Sequence, residues 1–134
     1  MRHLTLSLAA LALLAAPALA EAAKPLNPPA QVKFANLPAD TALSSNLKNL
    51  TVVDGQNSTV ADIKDLAISQ NKLVGYIVSV GGFLGLGERY VAIDPASVAL
   101  TYDESAKKWK ASVNASKDQL KTAPEFKYEG KFKN

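Results

Sequence analysis

The chain has 134 residues, is 48% hydrophobic and carries a formal net charge of +3. It has no cysteine, so no disulfide or thiolate chemistry is available, and its only histidine and only methionine are His3 and Met1. This length fits one modest domain.

The first residues read as a targeting segment rather than as fold. Met1-Arg2-His3 is a short basic stretch, and Leu4 to Ala16 is an apolar run of 13 residues. That is short of the ~20 needed to span a bilayer. Pro17 breaks the run, and Ala18-Leu19-Ala20 has the small-x-small pattern of signal cleavage. Residues 1–20 are therefore expected to be a signal peptide, with Ala20 the last residue removed. The mature chain would then hold neither imidazole nor thiol. That excludes Ser-His and Cys-His nucleophiles, His/Cys zinc and copper sites and haem ligation by His, Cys or Met. No cysteine follows the cleavage point, so a lipoprotein anchor is excluded too. The expected compartment is periplasmic or extracellular.

Without Arg2 the chain has 14 basic and 12 acidic residues, unevenly placed. Residues 21–105 hold 6 basic and 9 acidic side chains, whereas residues 106–134 hold 8 and 3. A Lys-rich end of this kind either keeps the protein soluble or offers a surface to anionic partners.

Residues 21–42 contain four of the seven prolines and little periodicity. They predict a flexible, extended lead. The folded domain is expected over residues 43–134. Leu47, Leu50, Val52 and Val53 suggest a first strand, and Asp54-Gly55 starts a polar turn running to Thr59. In Val60 to Ile68 the apolar Val60 and Ile63 are three apart, which breaks the strand period of two. A β-bulge would return both to the inner face; a short helix is the alternative.

Asn71-Lys72 turns the chain into Leu73 to Asp94. Leu73, Val74, Tyr76, Ile77, Val78 and Val80 form a β-branched run of strand length, and Tyr90, Val91 and Ile93 make the next strand. A run apolar on both faces must be covered on both, which predicts the centre of a small β-fold. Between these strands lies Gly81-Gly82-Phe83-Leu84-Gly85-Leu86-Gly87. A phosphate-binding reading fails, because Glu88 and a strand follow where a helix N-terminus would have to stand. The glycines suit a tight connector instead. Phe83, Leu84 and Leu86 would either plug the barrel or form an exposed docking patch.

Val98, Leu100 and Tyr102 alternate with polar or small residues, as do Trp109, Ala111 and Val113 after a polar connector. The pair predicts a β-hairpin, with Trp109 in the core or at a barrel mouth. Ser116-Lys117-Asp118-Gln119 fits a helix capping box, and Pro124 stops that helix at Ala123. Phe126, Tyr128 and Phe132 are then expected to fold back on the sheet. Lys127, Lys131 and Lys133 interleave with them, a pattern suited to anionic lipid or envelope polymer; nucleic acid is set aside because an exported protein rarely meets it.

Carboxylates are the only catalytic chemistry left. Asp62 and Asp65 lie three apart, which on a regular strand turns them to opposite faces. Asp54, Asn57 and Asp62 lack calcium-loop spacing. Neither set supports an enzyme, a metal site or a cofactor site.

Three segments carry a resemblance. Val60-Ala61-Asp62-Ile63-Lys64-Asp65-Leu66, Val78 to Glu88 (VSVGGFLGLGE) and Asn114 to Tyr128 (NASKDQLKTAPEFKY) are similar to segments of periplasmic PRC-barrel domain proteins of alphaproteobacteria. Ala61 stands where the family usually has glycine, and Asp94-Pro95 where a plain Val-Pro is common. The resemblance implies a mainly β fold, a small and strongly bent β-barrel with one short C-terminal helix. Relatives include the cytoplasmic domain of the photosynthetic reaction-centre H subunit and the C-terminal domain of a ribosome maturation factor. In both, the barrel is an interaction module. By resemblance this chain is expected to be a non-catalytic adaptor or assembly module at the cell envelope, with a protein partner, or a homodimer formed through a barrel edge. The alternative is a binding module for a small apolar ligand or an anionic lipid or polymer. Candidate interaction residues are Phe83, Leu84, Leu86, Trp109, Lys127 and Lys131.

Overall fold

The computed structural model describes residues 26–28, 31–81 and 87–133. The expected signal peptide, parts of the lead and the loop residues Phe83, Leu84 and Leu86 lie outside them. Residues 26–28 and 31–35 form neither helix nor strand and are exposed. A compact unit spans Asn36–Asn134.

That unit is mainly β. In chain order its elements are α1 (Ser44–Leu47), β1 (Thr51–Val53), β2 (Thr59–Ser69), β3 (Lys72–Val80), β4 (Arg89–Ile93), β5 (Val98–Asp103), β6 (Lys108–Val113) and α2 (Lys117–Thr122). Short 3-10 turns occupy Pro95–Ser97 and Gly130–Phe132. The strands form one six-stranded sheet in the order β4-β3-β2-β1-β6-β5. Adjacent pairs are antiparallel except β1 and β6, which run parallel.

The order forces curvature. β4 and β5 are consecutive in the chain but lie at opposite edges of the sheet. In a flat sheet those edges would stand ~24 Å apart at ~4.8 Å per strand. The link from Ile93 to Val98 reaches at most ~17 Å when fully extended. It also spends Pro95–Ser97 on a 3-10 turn, opened by the Asp94 carboxylate accepting from the Ala96 amide at 2.8 Å. The sheet must therefore bend into an unclosed barrel. Its interior is filled by Val52, Val60, Ala61, Ile63, Tyr76, Val78, Val80, Val91, Ala111 and Val113, with Leu47 and Leu120 of the two helices added.

The period break in the second segment is a bulge. Opposite β1, Val52 pairs with Ala61 and Val53 with Thr59, so Val60 is the extra residue. A second irregularity falls between Ile63 and Asp65 against β3. Val60, Ala61 and Ile63 are all buried as a result. The hairpin β5–β6 pairs from Val98–Val113 to Asp103–Lys108. The capping box of α2 is formed in both directions: the Ser116 amide donates to Gln119 Oε1 at 2.8 Å and the Gln119 amide to Ser116 Oγ at 3.2 Å.

Three expectations need correction. Leu47 belongs to a helical turn, not to the first strand, so a second short α-helix precedes the sheet. Asn46 accounts for this by accepting the Leu43 amide at 3.0 Å, and Asn49 at φ 64° then swings the chain into β1. The turn before β3 is at Gln70-Asn71, both at positive φ, one residue earlier than read. β3 itself is second from an edge rather than central. Its second face is covered by the chain after α2, a covering that hydrophobic runs alone do not reveal.

Truncating Ile63, fully buried at the bulge, should cost about 2–5 kcal/mol as Ile63→Ala. Ser116→Ala should cost about 1 kcal/mol through the lost cap. Urea unfolding of the two variants checks both the values and their order.

Candidate interaction surface

The outer part of the β2–β3 hairpin projects past its neighbours. β4 pairs only with Tyr76–Val80 of β3. β1 pairs with β2 no further than Asp62. Ile63 is still held by the chain before β1, its amide donating to Leu50 O at 2.9 Å and its carbonyl accepting from Asn49 N at 2.7 Å. Beyond that point, among the described residues, Lys64–Ser69 has β3 as its only strand partner, with Asp65 and Leu66 opposite Ile77 and Tyr76 and Ala67–Ser69 opposite Lys72–Gly75, and β4 does not reach Lys72–Gly75. The β2 edge is open from Lys64 on, and over Ala67–Ser69 and Lys72–Gly75 the result is a two-stranded ribbon with both edges open among the described residues, an arrangement that is marginal in water by itself.

This ribbon is also apolar. Ile68 is 68% exposed, Val74 51% and Leu73 37%. Phe132, 61% exposed, stands by it on the returning C-terminal chain. A groove of about 580 Å³ runs between the two, floored by Ala67, Gly75, Ile77 and Ala92 and walled by Phe126 and Phe132. Such a volume is within the ordinary range of ligand sites. On the other side of β2 a trough of about 330 Å³ separates the strand from α1, lined by Ser44, Ser45 and Lys48 on one side and by Ile63, Lys64, Asp65, Leu66 and Ile68 on the other.

The C-terminal chain, residues 124–133, lies over β4 as a strap. The Phe126 amide donates to Tyr90 O at 2.7 Å, an isolated antiparallel bridge on the edge of β4. Edge-to-face rings continue it: Tyr90–Tyr128 and Phe126–Tyr128 at 5.0 Å, Phe126–Phe132 at 5.3 Å. Arg89 fixes its start by donating to Ala123 O, with Glu125 3.9 Å away. The Tyr128 hydroxyl donates to Asp65 at 3.3 Å. On the same face the buried Ser79 hydroxyl donates to Glu88, which also accepts from Tyr90 Oη at 3.0 Å.

These contacts set the ionisation of the face. Hydrogen bonds from Ser79 and then Tyr90 hold the Glu88 carboxyl below its ordinary value. Burial, and after it the Asp65 charge, pushes the Tyr128 hydroxyl up to about 12.

Of the candidate interaction residues Trp109, Lys127 and Lys131 are described, and Trp109 stands apart from the two lysines. Lys131 lines the outer groove and Lys127 is exposed on the strap. Trp109 is half-buried at the start of β6, edge-to-face with Tyr102 at 5.4 Å, and lines a separate depression of about 560 Å³. That is the barrel-mouth placement rather than the core one. Beside it Lys110 pairs with Asp103 at 2.5 Å, and this contact chiefly holds the Asp103 carboxyl far below its usual range. Two of the carboxylates weighed for catalysis or calcium accept hydrogen bonds close by in the fold. Asp54 accepts the Gln56 and Ser58 amides at 2.9 Å in its turn, and Asp62 accepts from Thr51 at 3.0 Å. Leu73 and Val74 belong to the run expected to be covered on both faces, and the structure exposes them together with Ile68. The one sequence signal of that exposure was the turn two residues away.

The fold defines a small, strongly bent and partly open β-barrel. The chain belongs to the PRC-barrel domain family, whose model matches residues 39–120. The strap lies beyond the matched residues. A comparison with curated proteins gives no match.

Tyr128 supplies a pH test. An unfolded tyrosine ionises near ~10. With the folded value raised, its stabilising contribution is complete below that pH and is lost as pH rises through about 12. The wild-type urea midpoint should fall more steeply than that of Tyr128→Phe between about pH 9 and pH 12. Glu88 has the opposite sign. Its contribution holds above the ordinary value of 4.5 and is lost as pH falls through the lowered one, so Glu88→Gln should flatten the acid limb.

Proposed function

We propose that the chain is a non-catalytic interaction module exported to the cell envelope, which docks a protein partner on the outer half of the β2–β3 hairpin. The uncovered apolar ribbon carries this reading. Ile68, Leu73 and Val74 stay exposed on a hairpin whose edges are open. A soluble surface gains nothing from such a patch unless something covers it. Family membership supports the reading only as far as the fold, since one fold hosts many functions. A second reading, an apolar ligand with an anionic head, is favoured by the outer groove and by Lys131 on its wall.

Capture separates the two. The full chain is immobilised and exposed to an envelope extract at low and at about 150 mM salt. The adaptor reading expects a partner retained at the higher salt. Burying two aliphatic side chains is worth about 1.5–3 kcal/mol each, so Ile68→Ser/Val74→Ser should weaken retention by at least about tenfold. Retention of lipid or polymer alone, lost with salt, would replace this reading with the second. Export has its own check: intact mass of the periplasmic form should correspond to a chain beginning at Glu21.

A further inference from the structure

The open edge of β2 has a gap beside it, free backbone groups along it and a charge around it. We infer that Lys64–Ser69 receives an extended peptide of another protein as an added strand, its side chains alternating apolar and acidic. This deepens the interaction-module reading and rests on it.

The backbone is the first ground. Successive strand residues turn their N–H and C=O groups to alternate sides, and past the register shift at Lys64 part of the backbone of Asp65–Ser69 presents them to the side away from β3. The pairing of β1 with β2 ends at Asp62, and no backbone hydrogen bond outside the β2–β3 ladder involves Lys64–Ser69 among the described residues. A row of unpaired groups on an apolar strand is the template that strand addition uses.

The gap is the second. The trough between β2 and α1, about 330 Å³, runs along this edge and is lined from both sides. Leu66 and Ile68 offer apolar contact to alternate side chains of an incoming strand.

Charge selects the occupant. Lys48 and Lys64 line the trough, and neither forms an ion pair among the described residues. Lys64 also acts electrostatically on Glu88. Asp65 lines the trough too, with its carboxylate accepting from the Tyr128 hydroxyl on the strap, which leaves the lining with two cations and one anion. An acidic side chain on the added strand would meet two unpaired cations. A second copy fits less well. Antiparallel self-pairing of Lys64–Ser69 about its centre sets Lys64 against Ser69, Asp65 against Ile68 and Leu66 against Ala67, with no opposite-charge pair. A lipid would leave the backbone groups unused.

The test is a titration of the ¹⁵N-labelled full chain followed by amide shifts. The probe is an acetylated, amidated peptide of about seven alternating Glu and Val residues. Controls are its Lys–Val counterpart and a Glu–Val peptide N-methylated along one edge. The inference expects the Glu–Val peptide to move the amides of Lys64–Ser69, the Lys–Val peptide to leave them, and N-methylation of the pairing edge to abolish the effect. Lys48→Glu, an exposed substitution, should weaken the Glu–Val peptide several-fold. Equal response to both charge patterns, or binding unaffected by N-methylation, overturns the proposal. Shifts at this edge that grow with protein concentration alone assign it to a second copy, and stronger shifts with phosphatidylglycerol vesicles assign it to lipid; either also overturns it. If the peptide fails while capture still depends on Ile68 and Val74, strand addition falls and the interaction reading stands. If both fail, both fall.

Discussion

The link from β4 to β5 constrains everything else. Residues 94–97 must join the two edge strands of a six-stranded sheet, and they are too few for a flat one. The sheet bends until its edges are within reach, and bending gathers one face of every strand around Val52, Ile63, Val78 and Val80. Bulges make the bend possible, because an extra residue increases local twist. The one at Val60 turns consecutive residues inward where β2 meets the short β1.

The same geometry creates the surface feature. β1 and β4 are short, at three and five residues. β2 and β3 have eleven and nine and run past both. Their surplus length is the projecting ribbon. Nearer the barrel, the strap covers Ile77 and the neighbouring strands, held by the Phe126–Tyr90 bridge and the Tyr128–Asp65 hydrogen bond. It therefore covers the β4 edge of the open barrel and also forms one wall of the outer groove.

Much of this was legible in the residues. Alternation gave the β5–β6 hairpin, Ser116 and Gln119 gave the start of α2, and the Val60–Ile63 spacing gave the bulge. What was not legible depended on pairing register. Leu73 and Val74 look like the rest of the run to Val80, but β4 stops at Tyr76, so they are exposed while Tyr76 to Val80 are buried. No local property of a leucine records where its neighbour strand ends. Leu47 was misread for a related reason: its burial is real, but Asn46 and Asn49 decide the backbone there. Trp109 drew notice as the only tryptophan, yet it packs on Tyr102 in a depression that shares no lining residue with the outer groove.

Residue-resolved hydrogen exchange of the free full chain tests the central claim most directly, that the barrel half of the β2–β3 hairpin is paired on both sides but the ribbon is not. Amides of Val60–Ile63 and Tyr76–Val80 should exchange only with global unfolding. Within Lys64–Val74 the amides on the open edges should exchange orders of magnitude faster than their ladder-bonded neighbours. Uniform protection along the whole of β2 and β3 would mean that these edges are already covered, and the hairpin could not be the docking element.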